Sequence, residues 1–183
     1  LLKLETAKWN QGAPYNLLCP LDVKDSKRSV VGCVATATAI VMRYHKWPDT
    51  AVGTTPAYTV ESTGLSVPAN TLGTYDWDKM PLTFPKTGYS SEHANEVAKL
   101  MLDCGTMIKM SYSSSASSPS TSSVPAALQQ YMKYDKSSGI YQKGVYSLQQ
   151  WHKLLENQLN NYGPIIYAAQ NDFGGHCFVL DGY

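Results

Sequence analysis

The sequence predicts an α+β fold, with helices first and a sheet begun late. Three observations carry this. Apolar residues recur at helical spacing in four stretches before residue 163. Strand-like runs, Ile165-Ile166-Tyr167-Ala168-Ala169 and Cys177-Phe178-Val179-Leu180, come only at the end. With 43% apolar residues over 183 positions, the chain has enough material for a core of its own.

Residues 5–20 read as an irregular loop punctuated by Gly12, Pro14 and Pro20. Gln11 lies in it and, taken alone, reads as a solvated surface side chain. The first helix opens with Cys33 at its mouth, in the run Val31-Gly32-Cys33-Val34-Ala35-Thr36-Ala37-Thr38-Ala39. Ala37, Ile40, Val41 and Tyr44 follow at helical spacing, and Pro48 closes the segment. Gly32 leaves room for a substrate backbone. His45 is expected to meet the last carbonyls.

Residues 49–90 carry eight Gly and Pro, from Gly53 to Gly88, and read as a mostly irregular excursion with one or two short strands. Tyr75 and Trp77 alternate and anchor it. Ser91 is the expected cap of a second helix, with the stripe Ala94, Val97, Ala98, Met101 and Leu102, a stop at Gly105, and His93 exposed in its first turn. Ser111 to Ser123 holds nine serines in thirteen positions, the composition of a flexible linker. A third helix follows, with Ser122 or Ser123 as cap, Pro125 in the first turn, and Leu128, Tyr131 and Met132 inward. Ser147-Leu148-Gln149-Gln150 is a capping box for a fourth helix. Leu148, Trp151, Leu154, Leu155, Leu159 and Tyr162 form its apolar face, His152 is solvated, and Gly163-Pro164 ends it. Asn171 to Gly175 are the expected turn between the final strands.

Composition narrows the function. Net charge is +1 and charged residues are 16%, with no basic stripe, which argues against nucleic acid. No apolar run approaches the ~18 residues of a membrane span. Leu1 to Glu5 lack the apolar core of a signal peptide, which fits a cytosolic chain or a mature chain after leader removal. Thirteen Tyr and abundant Ser and Thr lean towards export. Cys19, Cys33, Cys104 and Cys177 are widely spaced, with neither a disulfide framework nor a zinc spacing. At most one disulfide is expected, and no metal or cofactor.

Two residues carry chemistry. At the mouth of its helix, Cys33 meets unpaired N–H groups and the positive end of the dipole, which favour the nucleophilic thiolate. The plainer reading is a small buried core cysteine. His176 opens a strand after Gly174 and Gly175, whose bare backbone leaves space for a ligand beside the ring. It follows Cys33 by 143 positions.

Four runs carry more information than this spacing: Lys8-Trp9-Asn10-Gln11-Gly12-Ala13-Pro14-Tyr15-Asn16-Leu17-Leu18, Gly32-Cys33-Val34-Ala35-Thr36-Ala37, Tyr44-His45-Lys46-Trp47-Pro48, and Gly174-Gly175-His176-Cys177-Phe178-Val179-Leu180-Asp181-Gly182. In content and order they resemble the streptopain family (peptidase family C10) of secreted bacterial cysteine endopeptidases with a two-lobed papain-like fold. Papain-like enzymes also place the histidine roughly 130–150 residues after the nucleophile. The resemblance implies that Cys33 is the nucleophile, His176 the general base and acid, and Gln11 an oxyanion donor, with Gly174 and Gly175 beside the substrate. It implies protein or peptide substrates with a hydrophobic residue at P2, an inhibitory propeptide in a zymogen, an extracellular setting, and no cofactor. It also makes the serine-rich stretch a family loop rather than a linker.

Two departures stand out. The family's Asn-Trp segment, which orients the imidazole, comes well after the histidine, whereas seven residues follow His176 here. Asp181 is no substitute, because 176, 178 and 180 share a strand face and 181 does not. The expectation is therefore one truncated catalytic domain over 1–183. About 1–162 would be a mainly helical lobe and 163–183 the start of a β-lobe that a separate C-terminal segment completes. Second, Ala168-Ala169 stands where the family pattern has a glutamine lining the cleft. Cys177, next to His176, is expected on the opposite strand face, in the core and apart from the catalytic thiol. Two alternatives remain open: a non-catalytic binding or adhesion module on the same fold, and a Cys–His acyltransferase.

Overall fold

In chain order the elements are α1 (Cys33–His45), the short strands β1 (Thr54–Thr55), β2 (Tyr58–Thr59), β3 (Ser66–Val67) and β4 (Asn70–Thr71), a 3₁₀ turn (Trp77–Lys79), α2 (Ser91–Met107), β5 (Met110–Ser111), β6 (Ser118–Pro119), α3 (Val124–Tyr131), a second 3₁₀ turn (Lys143–Val145), α4 (Leu148–Asn161), β7 (Ile165–Asn171) and β8 (Gly174–Leu180). The computed structural model describes residues 1–119 and 124–183. The order is that of an α+β fold, as expected.

Helix α1 is buried along most of its length. Every residue from Ala35 to Met42 is inside, so this helix has no polar face. The sequence permits this because five of the eight are Ala or Thr and let neighbours approach on several sides. The two threonines do not bury unpaired hydroxyls. Thr36 Oγ1 donates to Gly32 O at 2.9 Å, and Thr38 Oγ1 donates to Val34 O at 2.8 Å. Helix α2 packs on one side of α1 and the β7–β8 hairpin on another. Met42, Met80, Leu100, Met101, Ile108 and Met132 fill the core beside it.

The strands form four separate antiparallel pairs: β1 with β4, β2 with β3, β5 with β6, and β7 with β8. In the last, Ile165 pairs with Leu180 and Asn171 with Gly174, which sets Ala169 opposite His176. The N-terminal residues run beside the end of β8, with Leu4 N donating to Asp181 O at 2.7 Å and Leu2 N to Tyr183 O at 2.9 Å.

Residues 49–90 are held to α2 by one buried carboxylate. Asp103 accepts from Tyr75 Oη at 2.6 Å, Asn70 Nδ2 at 2.8 Å and Gly73 N at 3.3 Å. Burial pushes this carboxyl above its ordinary range, and the three donors pull it back. Burial, then the Asp103 charge, push the Tyr75 phenol far up, so it stays a donor. Trp77 is buried beside Tyr75 and donates to Pro48 O at 3.1 Å. The two aromatics therefore anchor the excursion, as their alternation predicts.

Several local expectations are corrected. The excursion contains four short strands rather than one or two. The cap of α2 is Ser90, which accepts from His93 N, not Ser91. Gly105 does not stop α2, which continues to Met107. A Cβ there would run into the Tyr112 hydroxyl, so the glycine serves packing. Leu100 is buried in α2, and Leu102 only partly. The serine-rich stretch is a built loop as far as Pro119: Ser114 N donates to Asp22 Oδ2 at 2.7 Å, and Ser113 N to Ser117 Oγ at 2.9 Å. The expected cap at Ser122 or Ser123 lies outside the described residues. The α4 capping box is present in full, yet only Trp151 and Leu159 of its apolar face are buried, and Leu148 and Tyr162 are exposed. The hairpin turn is Asp172-Phe173 alone, because Asn171, Gly174 and Gly175 belong to the strands. His45 sits edge-on to Tyr44 and Tyr134, and it is the Lys46 N–H that reaches the carbonyls ending α1.

Gly32, the N-cap of α1, has a positive φ of 93°, and a Cβ there would lie 2.7 Å from the Met110 Sδ and 3.1 Å from Ser117 O. The glycine is thus required by backbone conformation and by packing against β5 and the loop after it, whereas the sequence pointed to substrate approach. Gly32→Ala is expected to cost about 1–3 kcal/mol of stability, read from the denaturant midpoint. Tyr75→Phe leaves Asp103 without its shortest donor and is expected to cost about 1–3 kcal/mol in the same measurement.

Candidate active site

The N-terminus of α1, the loop around Gln11 and the middle of β8 meet at one cleft. It holds about 180 Å³ and is lined by Trp9, Asn10, Gln11, Cys33, Thr36, Ala37, Ile40 and residues 176–179. The three residues singled out from the sequence, Gln11, Cys33 and His176, all line it. A larger open groove of about 550 Å³ lies elsewhere, among Lys46, Asp49, Asp76, Asp78, Glu96 and Lys99. That groove holds no thiol or imidazole, and two of its lysines are paired, Lys46 with Asp78 at 3.0 Å and Lys99 with Glu96 at 2.9 Å.

Each wall is fixed by the chain in a different way. Cys33 is the first residue of α1 and half-buried. The two residues ahead of Gly32 are tied by main-chain bonds: Val31 N donates to Gln11 O at 3.0 Å, and Val30 N donates to Ser113 O at 3.0 Å. The backbone of Gln11 is thereby held two residues from the nucleophile candidate. Upstream, Trp9 Nε1 donates to Pro81 O at 2.9 Å, and Lys8 N to Leu82 O at 2.7 Å. The Gln11 loop is therefore moored on both sides, to the 81–82 segment and to the start of α1.

His176 stands on β8, exposed, with its ring stacked against Phe178 at 6.3 Å between centroids. Phe178 in turn lies 5.5 Å from the Tyr167 ring, which leads on to Trp151 of α4. An aromatic row thus runs along the outer face of the hairpin and ends at the imidazole. Gly174 and Gly175 begin β8 at the hairpin tip and do not line the cleft. Phe173, in the turn beside them, is 98% exposed. Asp181 is engaged elsewhere, accepting from Thr6 Oγ1 at 2.6 Å with Lys8 Nζ at 3.6 Å.

Cys177 corrects one expectation. It is buried and on the other strand face from His176, but that face packs on α1. Cys33, Thr36, Ala37 and Ile40 are spaced i, i+3, i+4 and i+7, so they share one side of the helix. This is the side that lines the cleft, and Cys177 lines it too. The thiol is therefore not remote from Cys33. Burial, then the charge of Cys33, push Cys177 up to about 12. Burial also pushes Cys19 to about 12 and raises Cys104 well above its ordinary range. The helix-face spacing from Cys33 was readable in the sequence, but which strand residue would cover it was not.

No helix among the described residues is long and apolar enough to cross a membrane. No group of three or more His, Cys, Asp or Glu among them is arranged to hold a metal ion.

Known proteins resemble this chain in sequence and in fold. The chain is 33% identical to streptopain of Streptococcus pyogenes serotype M1, over all of this chain and 49% of the relative. It is 32% identical to the thiol protease/hemagglutinin PrtT of Porphyromonas gingivalis, over 96% of this chain and 20% of that protein. It thus spans about half or less of the length of these curated relatives. Among solved structures it superposes on active wild-type interpain A cysteine protease of Prevotella intermedia with a TM-score of 0.87 and 31% identity, covering 99% of this chain and 76% of that one. A prointerpain A fragment from the same organism, a cysteine-to-alanine mutant, gives a TM-score of 0.85 at 31% identity, covering 99% of this chain and 57% of that one. Residues 9–183 match the model of the peptidase C10 family, and the chain belongs to that family.

Proposed function

We propose that this chain is the catalytic part of a cysteine endopeptidase, with Cys33 as nucleophile, His176 as general base and acid, and Gln11 as oxyanion donor. The observation that supports it most is the single cleft lined by all three. Membership of the C10 family, and relatives named as thiol and cysteine proteases, point the same way.

The chemistry follows from the residue types. His176 takes the Cys33 thiol proton, and the thiolate attacks the scissile carbonyl. Charge develops on the carbonyl oxygen beside the N-terminus of α1. The Cys33 N–H, free of any intrahelical partner in the first turn, and the Gln11 amide donate to it. His176 then protonates the leaving amine and the thioester forms. Water, deprotonated by the same imidazole, releases the acid.

The substrates in this reading are proteins or peptides with a hydrophobic P2 residue. The setting is extracellular, and the likeness to prointerpain A supports synthesis behind an inhibitory propeptide. Residues 1–183 belong to a single catalytic domain in this reading.

The test is covalent trapping. An epoxysuccinyl inhibitor at neutral pH should modify Cys33 in one-to-one stoichiometry, located by peptide mass, and His176→Ala should abolish the fast reaction. Cys19, Cys104 and Cys177, raised by burial, should stay unmodified until the protein is unfolded. Equal, slow reaction at all four thiols would refute the reading. Gln11→Ala should lower kcat/KM on a fluorogenic peptide by roughly 10²–10³ while leaving the unfolding midpoint in place.

A further inference from the structure

Four free thiols stand in this chain, and the proposed reaction uses one. Two of the others are remote from the cleft. Cys104 is fully buried with its sulfur 3.6 Å from the Met42 sulfur, and Cys19 is buried with its carbonyl held by Arg28. Cys177 is different, because its face of β8 closes over the same side of α1 that Cys33 heads, and both line one small cavity. Cys33 is half-buried and open to small solutes, whereas Cys177 is 6% exposed. The lining of the cavity therefore includes one accessible thiol and one sheltered thiol.

We propose that Cys177 is a resolving thiol for Cys33, so that peroxide converts the pair into a reversible Cys33–Cys177 disulfide that switches the cleft off. The proposal rests on the reading of Cys33 as a reactive nucleophile. In the first step the Cys33 thiolate attacks one oxygen of hydrogen peroxide. The O–O bond breaks, hydroxide leaves and is protonated to water, and the sulfur is oxidised to a sulfenic acid. In the second step the Cys177 sulfur attacks the Cys33 sulfur. The S–O bond breaks, and the departing hydroxide takes the Cys177 proton to give a second water. Two thiols and one peroxide thus become one disulfide and two waters. A reducing thiol reverses the change.

The surroundings of Cys177 govern its timing. Burial keeps it protonated, which makes it inert to the substrate and to bulk oxidant while Cys33 is reduced. Part of its resistance to ionising comes from the charge on Cys33 itself. A sulfenic acid is neutral, so oxidation of Cys33 removes that repulsion just when Cys177 is needed. The Phe178 N–H, donating to the Cys177 sulfur, eases the loss of that proton as the S–S bond forms.

The experiment uses the whole chain, reduced and then treated with a small excess of hydrogen peroxide. Thiol state is read by intact mass and peptide mapping, alongside epoxysuccinyl labelling of Cys33 before and after. The expected result is loss of two hydrogen atoms, a linked Cys33–Cys177 peptide pair, loss of labelling, and full return of labelling with dithiothreitol. In Cys177→Ala, and in Cys177→Ser as a second variant, Cys33 should instead gain two or three oxygens and labelling should not return. If reduced Cys33 labels quickly but gains oxygens in the unaltered protein just as in the variants, the disulfide proposal is overturned and the protease reading stands. If reduced Cys33 neither labels nor oxidises faster than Cys19, both fall.

Discussion

Burial of α1 is the constraint on which the rest of this structure depends. A helix enclosed along eight consecutive residues has no freedom to roll or slide, and its only route to solvent is through its ends. The N-terminal end is where Cys33 stands. Small side chains make this possible: Ala35, Ala37 and Ala39 admit close neighbours, and Thr36 and Thr38 return their hydroxyls to the helix backbone. A larger apolar set would hold the neighbours off, and unpaired polar groups would cost more than the burial returns. The Cys33 thiol is thus positioned by core packing more than by any contact of its own.

The loops around it are arranged by long-range polar bonds that repeat one device. In each, a group on one segment captures polar groups of another. Asp103 captures the Gly73 amide and the side chains of Asn70 and Tyr75, and Asp22 captures the Ser114 amide. Gln11 O captures Val31 N, and Ser113 O captures Val30 N. With strands only two residues long between β1 and β6, ladders alone hold little. Buried carboxylates and single main-chain bonds replace them. This explains how a stretch so rich in Gly, Pro and Ser is ordered well enough to support a cleft.

Legibility followed the range of the interaction concerned. The α4 capping box was readable because both of its bonds lie within four residues, and α1 and the final hairpin were readable because their periods are local. Gly105 misled because its reason is Tyr112, a residue on the next element. Asp103 gave no signal, since a carboxylate in a helix reads as solvated until three donors from another segment are seen around it. Ser91 was off by one because neighbouring serines offer the same cap chemistry and only the entry angle chooses between them. Gln11 shows the deepest limit: nothing local separates it from any surface glutamine, and only the resemblance of the Lys8–Leu18 run picked it out. Cys177 failed for the converse reason. Strand alternation correctly set it apart from His176, but alternation says nothing about what the other face meets.

That last point bears on how the two halves of the cleft are supported. Cys33 is carried by a helix enclosed on several sides. His176 is carried by a two-stranded hairpin, an element with little stability apart from what it packs against. Its tip is open, so the support comes from the inner face on α1 and, at Tyr167, from Trp151 of α4, which donates to the tyrosine hydroxyl at 3.3 Å. Cys177 is the buried residue of β8, directly behind the imidazole-bearing position. The residue that seats the strand against the helix is therefore the same one whose sulfur shares a cavity with Cys33. Any side chain seated there must be small enough to let β8 close on Ala37 and apolar enough to be buried. A cysteine meets both demands, and it adds redox chemistry that an alanine of similar fit would lack.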